Sequence, residues 1–302
     1  MPPSVFVIIV NYNSEKFIRP CLQSLKKQTF KNFKLVVVDN ASTDGSLESI
    51  KQLVNYELRV KDKKNNPQSA TRNRVIVKLI RNKQNLGFPA AANQGIKYAL
   101  KNKADYVVLV GFDTIADKNW LAQLVKTAQT TSAGIIQSKI LFYPSGPQVG
   151  GQEKIQSLGN KITFLGFGFP SPKPQKEIDY ASGTAMLIKK EVFEKIGFFD
   201  ERLMFMEDLD FGWRARKAGF KIALAPNSKI YHRYQFLRYK KKYYYLERSR
   251  KLVLLKNQKP AILFFLFPVF FLAEIAIFGY ALLTGWFFDK IRAEIYFWKN
   301  LR

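Results

Sequence analysis

Two aspartates follow apolar strand patterns and could bind a ligand where those strands end. Asp39 directly follows the run Phe33–Val38, and Asp113 comes shortly after the run Tyr106–Val110. The carboxyl ends of parallel strands share one edge of a sheet, and open α/β sheets bind their ligands there. At that edge Asp39 could accept hydrogen bonds from a base or ribose, and Asp113 could ligate a divalent cation. Either aspartate could instead cap the helix that follows it.

An acidic pair later in the chain could supply a general base. Glu207 and Asp208, with Asp210, begin a predicted helix directly after the apolar residues Met204–Met206. The helix dipole favours acids at this position, so a structural role is one interpretation. The other is that the apolar neighbours desolvate the carboxylates and raise their pKa toward the range that a base needs.

Two further features could belong to a site. Residues Asn85–Gly95 are rich in glycine and alanine and would let a ligand approach the backbone, but they lack the glycine spacing of a dinucleotide-binding loop. His232, the only histidine, follows the strand-like run Ala223–Tyr231. A single histidine is more often structural than a ligand, and both roles stay open.

Alternating strand and helix patterns predict the elements that carry these residues. Four short apolar runs rich in β-branched residues predict strands at Ser4–Val10, Phe33–Val38, Val75–Ile80 and Tyr106–Val110. Helical spacing recurs between them, which predicts an α/β domain with a mainly parallel sheet. We expect a solvated loop at Asn55–Arg74 and a long irregular loop at Phe142–Asp179.

The composition excludes several classes of protein. Of 302 residues, 47% are hydrophobic, which is ample for a large core. Cys21 is the only cysteine, so a disulfide framework and a cysteine-rich zinc site are excluded, and one histidine excludes a multi-histidine metal centre. The first residues do not form a signal peptide pattern, so we expect the catalytic part to stay in the cytoplasm.

The net charge of +26 has three interpretations: nucleic-acid binding, attraction to an anionic membrane, or a lysine-rich solvated surface. The densest basic stretch, Arg238–Lys259, immediately precedes the longest apolar run, which favours the membrane. We expect this stretch to face anionic headgroups. The sequence contains no nucleic-acid-binding motif, so we expect no nucleic-acid partner.

The longest apolar run is Pro260–Phe288, in which Glu274 is the only charged residue. Aromatic residues at its ends and basic residues on both flanks favour a membrane-associated helical segment. Because both flanks are basic, a single span and a hairpin that enters one leaflet remain open. A very apolar packing element of a soluble protein is the third possibility, which Pro268 and Glu274 allow.

Motifs along the chain resemble those of the family 2 glycosyltransferases, in particular the rhamnosyltransferase-like branch with the GT-A fold. The resemblance covers about residues 4–250 and is carried by VIIVNYN at Val7–Asn13, VVVDNASTDGS at Val36–Ser46, NLGFPAAANQG at Asn85–Gly95, Ala181–Glu201 and Met204–His232. It implies a Rossmann-like mixed α/β catalytic domain over residues 1–235. A basic aromatic juxtamembrane segment over 236–259 and a membrane-associated segment over 260–302 would follow.

The resemblance also implies roles for individual residues. Asp208, beside Glu207, matches the catalytic base, and Asp39 matches the aspartate that contacts the nucleobase. Asp113 matches the last acid of the motif that binds Mg²⁺ or Mn²⁺, and His232 matches a histidine that helps to hold the metal or the diphosphate. The nucleotide-sugar site is therefore expected at Asn11, Asp39, Asn85, Gly87 and Asp113.

Two departures from the family pattern qualify these roles. Gly111 and Phe112 precede Asp113 where family members often carry Asn-Pro or a second acid, which suggests weaker, substrate-assisted metal binding. Arg248-Ser249-Arg250 replaces a more usual Arg-Asn pair. The Gln-x-x-Arg-Trp motif of processive synthases is absent, so we expect transfer of a single sugar.

The function that the resemblance implies is inverting transfer from a UDP- or dTDP-sugar to a glycan or lipid-linked acceptor. It would serve cell-surface polysaccharide synthesis at the cytoplasmic face of the cell membrane. One alternative is a nucleotidyltransferase, although such an enzyme needs a basic glycine-rich loop after the first strand, where this chain has NYNSEKF at Asn11–Phe17. The second alternative is a non-catalytic membrane-bound scaffold with a decayed transferase domain.

Overall fold

The computed structural model describes residues 2–52, 76–144, 153–234 and 241–300. The strands are β1 Val5–Asn11, β2 Phe33–Asp39, β3 Ile76–Arg81, β4 Tyr106–Val110, β5 Thr114–Ala116, β6 Ile135–Phe142, β7 Ile155–Ser157, β8 Asn160–Ile162, β9 Gly168–Pro170, β10 Ala185–Lys189 and β11 Ile222–His232. The helices are α1 Glu15–Lys26, α2 at 46–52, α3 Phe88–Lys101, α4 Trp120–Thr130, α5 Lys190–Ile196, α6 Glu207–Lys217, α7 Lys242–Asn257, α8 Pro260–Phe265, α9 Phe267–Leu283 and α10 Phe287–Lys299.

The main sheet is mixed and has the order β3-β2-β1-β4-β10-β6-β11-β5, with β7 paired to β6. Strand β10 enters antiparallel between β4 and β6, so the prediction of a mainly parallel sheet is wrong in this half. The reason is the path of the chain: β6 ends at the carboxyl edge, and the excursion that follows returns to the same edge. From there β10 can only run backwards through the sheet.

Apolar side chains cover both faces of this sheet. Helices α1 and α4 pack on one face around the fully buried Trp120, and α3, α5 and α6 pack on the other around Phe211. Strands β1, β2 and β4 therefore lie between two helical layers, and burial on both faces explains their continuous apolar runs.

The region predicted as an irregular loop, Phe142–Asp179, is partly regular. Strand β7 joins the main sheet, and β8 and β9 form a separate antiparallel pair. Gly159 and Gly166 adopt φ of 131° and 79°, which lets the chain turn tightly at both. The loop predicted at Asn55–Arg74 lies outside the described residues.

The C-terminal apolar run is divided between α8, α9 and the first two residues of α10. Helix α8 ends at Phe265, Pro268 lies in the first turn of α9, and Gly285 follows α9 with φ of 82°. A proline in a first turn and a left-handed glycine after a last turn are common helix boundaries. The described part of the chain contains no helix with the length and apolar character needed to cross a bilayer.

A buried charge network connects α9 and α10 to α7. The Lys290 ammonium lies 2.6 Å from Glu247, 2.7 Å from Glu274 and 2.9 Å from Glu294. Arg250 also pairs with Glu247 and Glu274. Burial alone would raise the pKa of Glu274, but Arg250 and Lys290 lower it to about 2. Glu274 therefore faces protein cations, and it joins α9 to α7.

Several basic residues of Arg238–Lys259 point into the protein, so the expectation that this stretch faces headgroups is wrong for them. Arg250 and Lys251 pair with Glu274, and Lys256 lies 2.9 Å from Asp200 and 3.0 Å from Asp210. Acids on α9, on α6 and before α6 are therefore the partners of these cations. Residues 235–240, including Arg238, lie outside the described part of the chain.

Replacing Lys290 by methionine is expected to destabilise the fold by about 3–5 kcal/mol, because three carboxylates would lose their shared buried cation. The oxygens of those carboxylates lie within 4.8 Å of one another. Urea unfolding followed by circular dichroism measures the change. Lys299→Met, at an exposed position on the same helix, is the control and should stay within about 0.5 kcal/mol of the original protein. Equal stability of the two variants would contradict a structural role for the network.

Candidate active site

The sheet topology brings the predicted residues to one edge. Strands β1, β2, β4, β6 and β11 end there, and β10 begins there. Strand order reverses at β1, whose neighbours β2 and β4 lie on opposite sides, and ligands of α/β sheets bind at such a reversal. Asn11, Asp39, Asp113 and His232 all lie at or just beyond the strand ends of this edge.

Asn11 and Asp39 form the buried floor of this edge. They are direct neighbours in the β1–β2 ladder, and the Asn11 amide donates to Asp39 Oδ1 at 2.8 Å. The same amide donates to Ser42 and Ser46 at 2.9 and 3.0 Å. The Asn11 side chain is thus engaged within the protein, and its direct effect is to orient the Asp39 carboxylate.

Asn40 organises the loop that carries Asn85 and Gly87. Its amide nitrogen donates to Asn85 Oδ1 at 2.8 Å and to the Gly87 carbonyl at 3.2 Å. Its oxygen accepts from Asn82 and from the Leu86 backbone. Gly87 has φ of 83° and is the N-cap residue of α3. The sequence analysis did not identify this role of Asn40. The signal that could have indicated it is the position of Asn40 directly after Asp39 at the end of β2.

Asp113 and His232 face each other across the β5–β11 ladder. In this ladder Thr114 lies opposite His232, and His232 Nε2 lies 3.5 Å from Asp113 Oδ1. On the other side of the ring, His232 Nδ1 lies 3.0 Å from Gln156 Oε1. If Nδ1 carries the proton and donates to Gln156, the lone pair of Nε2 is directed toward the carboxylate. The carboxylate oxygen is a ligand type that Mg²⁺ and Mn²⁺ prefer, and the imidazole lone pair that faces it could serve as a second ligand to a divalent cation.

Gly111 allows the observed placement of the Asp113 carboxylate. A Cβ at residue 111 would lie 3.0 Å from Asp113 Oδ1, closer than side chains normally approach. The Gly111 amide also donates to the Thr184 carbonyl at 2.9 Å, which joins the Asp113 loop to the segment before β10.

The acidic pair lies at the start of α6, against that same segment. The Gly183 amide donates to Asp208 Oδ2 at 3.0 Å, and the Leu209 amide donates to Oδ1 at 2.8 Å. Glu207 is buried, and its Oε2 has no hydrogen-bond partner. Residues 183 and 184 therefore link the base candidate to the metal-site candidate.

The two acids differ in how readily they ionise. Burial raises the pKa of both, as the apolar neighbours predict, and the Asp208 charge raises that of Glu207 further. Backbone amides of Gly183 and Leu209 stabilise the ionised form of Asp208. Asp208 is therefore the first of the pair to lose its proton, and Glu207 stays protonated beside it.

Helix α7 holds the loop that precedes the acids. Phe205 adopts φ of 68°, a strained conformation for a non-glycine residue that its surroundings must maintain. The backbone N–H of the neighbouring Met204 donates to the Ser249 hydroxyl at 3.1 Å, and this hydroxyl donates to the Met204 carbonyl at 3.0 Å. Ser249, which departs from the usual family pattern, thus holds residues 203–206, the loop before the acids, which we call the base loop.

Comparisons with known proteins identify the family of this chain. A family model described as Glycosyl transferase family 2 matches residues 6–197. The N-acetylglucosaminyl-diphospho-decaprenol L-rhamnosyltransferase of Mycobacterium tuberculosis is 23% identical over 249 residues, which cover 75% of this chain and 75% of that enzyme. A longer protein of Sinorhizobium fredii is 24% identical over 249 residues, which cover 76% of this chain and 24% of its own length.

Two solved structures share the fold. The mannosyltransferase PcManGT from Pyrobaculum calidifontis, in complex with GDP-Man and Mn²⁺, has a TM-score of 0.61 at 14% identity, covering 100% of this chain and 89% of that one. TarS from S. aureus in complex with UDP has a TM-score of 0.54 at 21% identity, covering 85% of this chain and 67% of that one. At such identities the likeness concerns the fold alone.

Proposed function

This chain belongs to glycosyl transferase family 2 and has a mixed α/β fold of the GT-A type, and we propose that it transfers a single sugar with inversion from a nucleotide diphosphate sugar to a lipid-linked or glycan acceptor. The observation that carries the proposal is the acid pair: a partly buried Asp208 whose pKa is raised, held by two backbone amides at the sheet edge. The rest of the edge supplies groups suited to a nucleotide and a cation.

In this mechanism Asp208 takes the proton of the acceptor hydroxyl as that oxygen attacks the anomeric carbon. Its raised pKa makes it a stronger base than an exposed aspartate, and such assistance contributes about 10²–10⁴-fold to the rate. Glu207, protonated beside it, avoids a second negative charge in the buried pair. Asp39, oriented by Asn11, accepts hydrogen bonds from the base of the nucleotide.

Asp113 and His232 would hold Mg²⁺ or Mn²⁺, which neutralises charge that develops on the departing diphosphate. With Nδ1 of His232 donating to Gln156 Oε1, which lies 3.0 Å away, the lone pair of Nε2 would be available to the metal. The complex of PcManGT with Mn²⁺ and GDP-Man supports a divalent cation in a site of this fold.

The rate of transfer is expected to fall on the acid side with an apparent pKa near that of Asp208, about 6. The base must be ionised to act, and burial raises the pH at which it ionises, so kcat should decline as the pH falls through this value. A pH profile of kcat at saturating donor and acceptor is the measurement. A rate that stays constant down to about pH 4, where ordinary aspartates ionise, would contradict the assignment of the base.

The donor in this proposal is a UDP- or dTDP-sugar, and the product enters cell-surface polysaccharide. The complex of TarS with UDP supports a UDP-sugar donor. The name of the mycobacterial rhamnosyltransferase, which includes N-acetylglucosaminyl-diphospho-decaprenol, supports a lipid-linked acceptor.

We place the enzyme at the cytoplasmic face of the cell membrane, with α8–α10 lying in the interface. Large apolar side chains of these helices are exposed, among them Phe264 at 76%, Phe265 at 78%, Leu283 at 87% and Phe288 at 74%. Exposed apolar surface of this extent marks an interaction site, and a helical layer with one apolar face suits a bilayer surface.

Anionic liposomes are expected to carry the full-length protein upward in a flotation gradient, and high salt should not release it, because apolar burial dominates the binding. Phe265→Asp combined with Leu283→Asp should leave the protein at the bottom of the gradient. Leu255→Asp, at an exposed position on α7, is the control and should float. Release of the original protein by salt alone would contradict insertion of α8–α10.

The proposed function as a whole is tested by a donor screen. The purified protein, Mn²⁺ and a bacterial lipid extract are incubated with UDP-, dTDP- and GDP-sugars, and products are analysed by mass spectrometry. We expect consumption of one donor and a glycosylated lipid or glycan. No consumption of any donor would favour the scaffold, and release of pyrophosphate from a nucleoside triphosphate with a sugar phosphate would favour a nucleotidyltransferase.

A further inference from the structure

A cavity of about 380 Å³ lies between the base loop, α7 and the C-terminal helices. Its volume falls in the range of about 300–1,000 Å³ that is common for small-molecule sites. The catalytic domain contributes Met206 and Leu209, and the C-terminal helices contribute Ile277, Tyr280 and Trp286. Neither part of the protein forms this cavity alone.

The cavity adjoins the acid pair. Met206 and Leu209 directly flank Glu207 and Asp208 in the chain and line the cavity wall. Tyr180, another lining residue, is buried, and the charge of Asp208 adds to burial in raising its pKa. A molecule in the cavity would therefore have one end close to the base.

Two buried polar atoms in or beside the cavity lack partners. Trp286 lines the cavity and is 9% exposed, yet its Nε1 has no hydrogen-bond partner, and neither has Glu207 Oε2. Buried polar atoms are nearly always satisfied, so such exceptions require an explanation. A bound molecule with polar atoms at one end would supply partners.

The cavity wall continues into the exposed apolar surface of α9. Ile277 and Tyr280 line the cavity, and Leu272 and Ile275 on the same helix are exposed at 65% and 54%. Phe205 also lines the cavity, and the Lys242 ammonium lies 5.8 Å from the centre of its ring. An apolar chain with a phosphate group would match this combination of an apolar wall and a nearby cation.

We propose that this cavity binds the apolar chain of a lipid-linked acceptor next to its phosphate and so presents the acceptor hydroxyl to Asp208. The inference rests on the proposed function and narrows its acceptor from a glycan or lipid-linked molecule to a lipid-linked one. It also assigns a role to the C-terminal helices, since Ile277, Tyr280 and Trp286 form part of the cavity wall and, in the proposed function, these helices lie against the bilayer that supplies the lipid.

The test uses geranylgeranyl phosphate as the probe and the full-length protein in detergent. Ile277→Trp fills the cavity, and Ile275→Trp makes the same change at an exposed position of α9 outside it. We expect the dissociation constant of the probe to rise at least tenfold for Ile277→Trp and to stay within twofold for Ile275→Trp. The affinity for the nucleotide-sugar donor should be unchanged in both.

A photoreactive analogue of the probe locates the site in the original protein, whether or not Ile277→Trp folds. Adducts on Met206, Leu209 or Ile277 would support the cavity, and adducts only on the exposed surface of α9 would overturn it. Absence of probe binding to the original protein would also overturn it and favour a soluble glycan acceptor. Because binding needs no turnover, probe bound in the cavity without donor consumption would instead refute the proposed function.

Discussion

Asp208→Asn is expected to lower kcat at least about 100-fold, the minimum contribution of a general base. Asparagine has nearly the same shape as aspartate, but it cannot take a proton, and its NH₂ group cannot accept the second of the two hydrogen bonds from the Gly183 and Leu209 amides. Binding of the donor should be nearly unchanged, because Asp39 and Asp113 are untouched. Steady-state kinetics of sugar transfer and titration calorimetry with the donor measure the two quantities.

Glu194→Gln is the control for this change, since Glu194 is an exposed acid on α5 and its loss should leave kcat within about twofold. If Asp208→Asn retains more than about a tenth of kcat, the assignment of the base fails. If it loses donor binding as well, the residue holds the site together rather than acting in the reaction.

Asp113→Ala is expected to abolish the effect of Mn²⁺ on donor binding. Loss of groups that merely orient metal ligands costs about 10–100-fold in metal affinity, so loss of a carboxylate ligand should cost at least as much. The donor affinity of the variant in Mn²⁺ should therefore equal that of the original protein in EDTA. Calorimetric titration with the donor under both conditions measures this difference.

Asp105→Ala provides the control for Asp113, because Asp105 directly precedes β4 at the opposite edge of the sheet. Its loss should leave the metal effect intact. Full transfer activity of the original protein in EDTA would show that Asp113 does not act through a cation. His232→Ala should reproduce part of the loss, because His232 is the second ligand in this account.

The strands can be predicted from the sequence where burial on both faces requires an unbroken run of apolar residues. Strands β1, β2 and β4 are covered on both faces and appear as unbroken apolar runs. Strand β6 was missed because Gln137, Ser138 and Lys139 interrupt its pattern. The structure satisfies these polar groups through tertiary contacts: Gln137 accepts from the Ser182 amide, Ser138 accepts from the Trp120 indole, and Lys139 pairs with Glu153.

The candidate residues at the sheet edge could be named from motifs, but their connections could not. Gln156 faces His232, and Gly183 donates to Asp208, only because β7 and β10 take specific places in the sheet order. Those contacts join residues far apart in sequence, and no local pattern encodes them. The charge network around Lys290 was hidden for the same reason, since its partners lie on three helices.

The central claim is that a hydroxyl activated by Asp208 displaces the nucleotide in one step. Proton NMR of the anomeric position in the product, compared with that in the donor, tests it most directly. The account predicts inverted configuration, so an α-linked donor sugar should give a β-linked product. Retained configuration would mean that the sugar passes through a second displacement, and it would contradict the role assigned to Asp208.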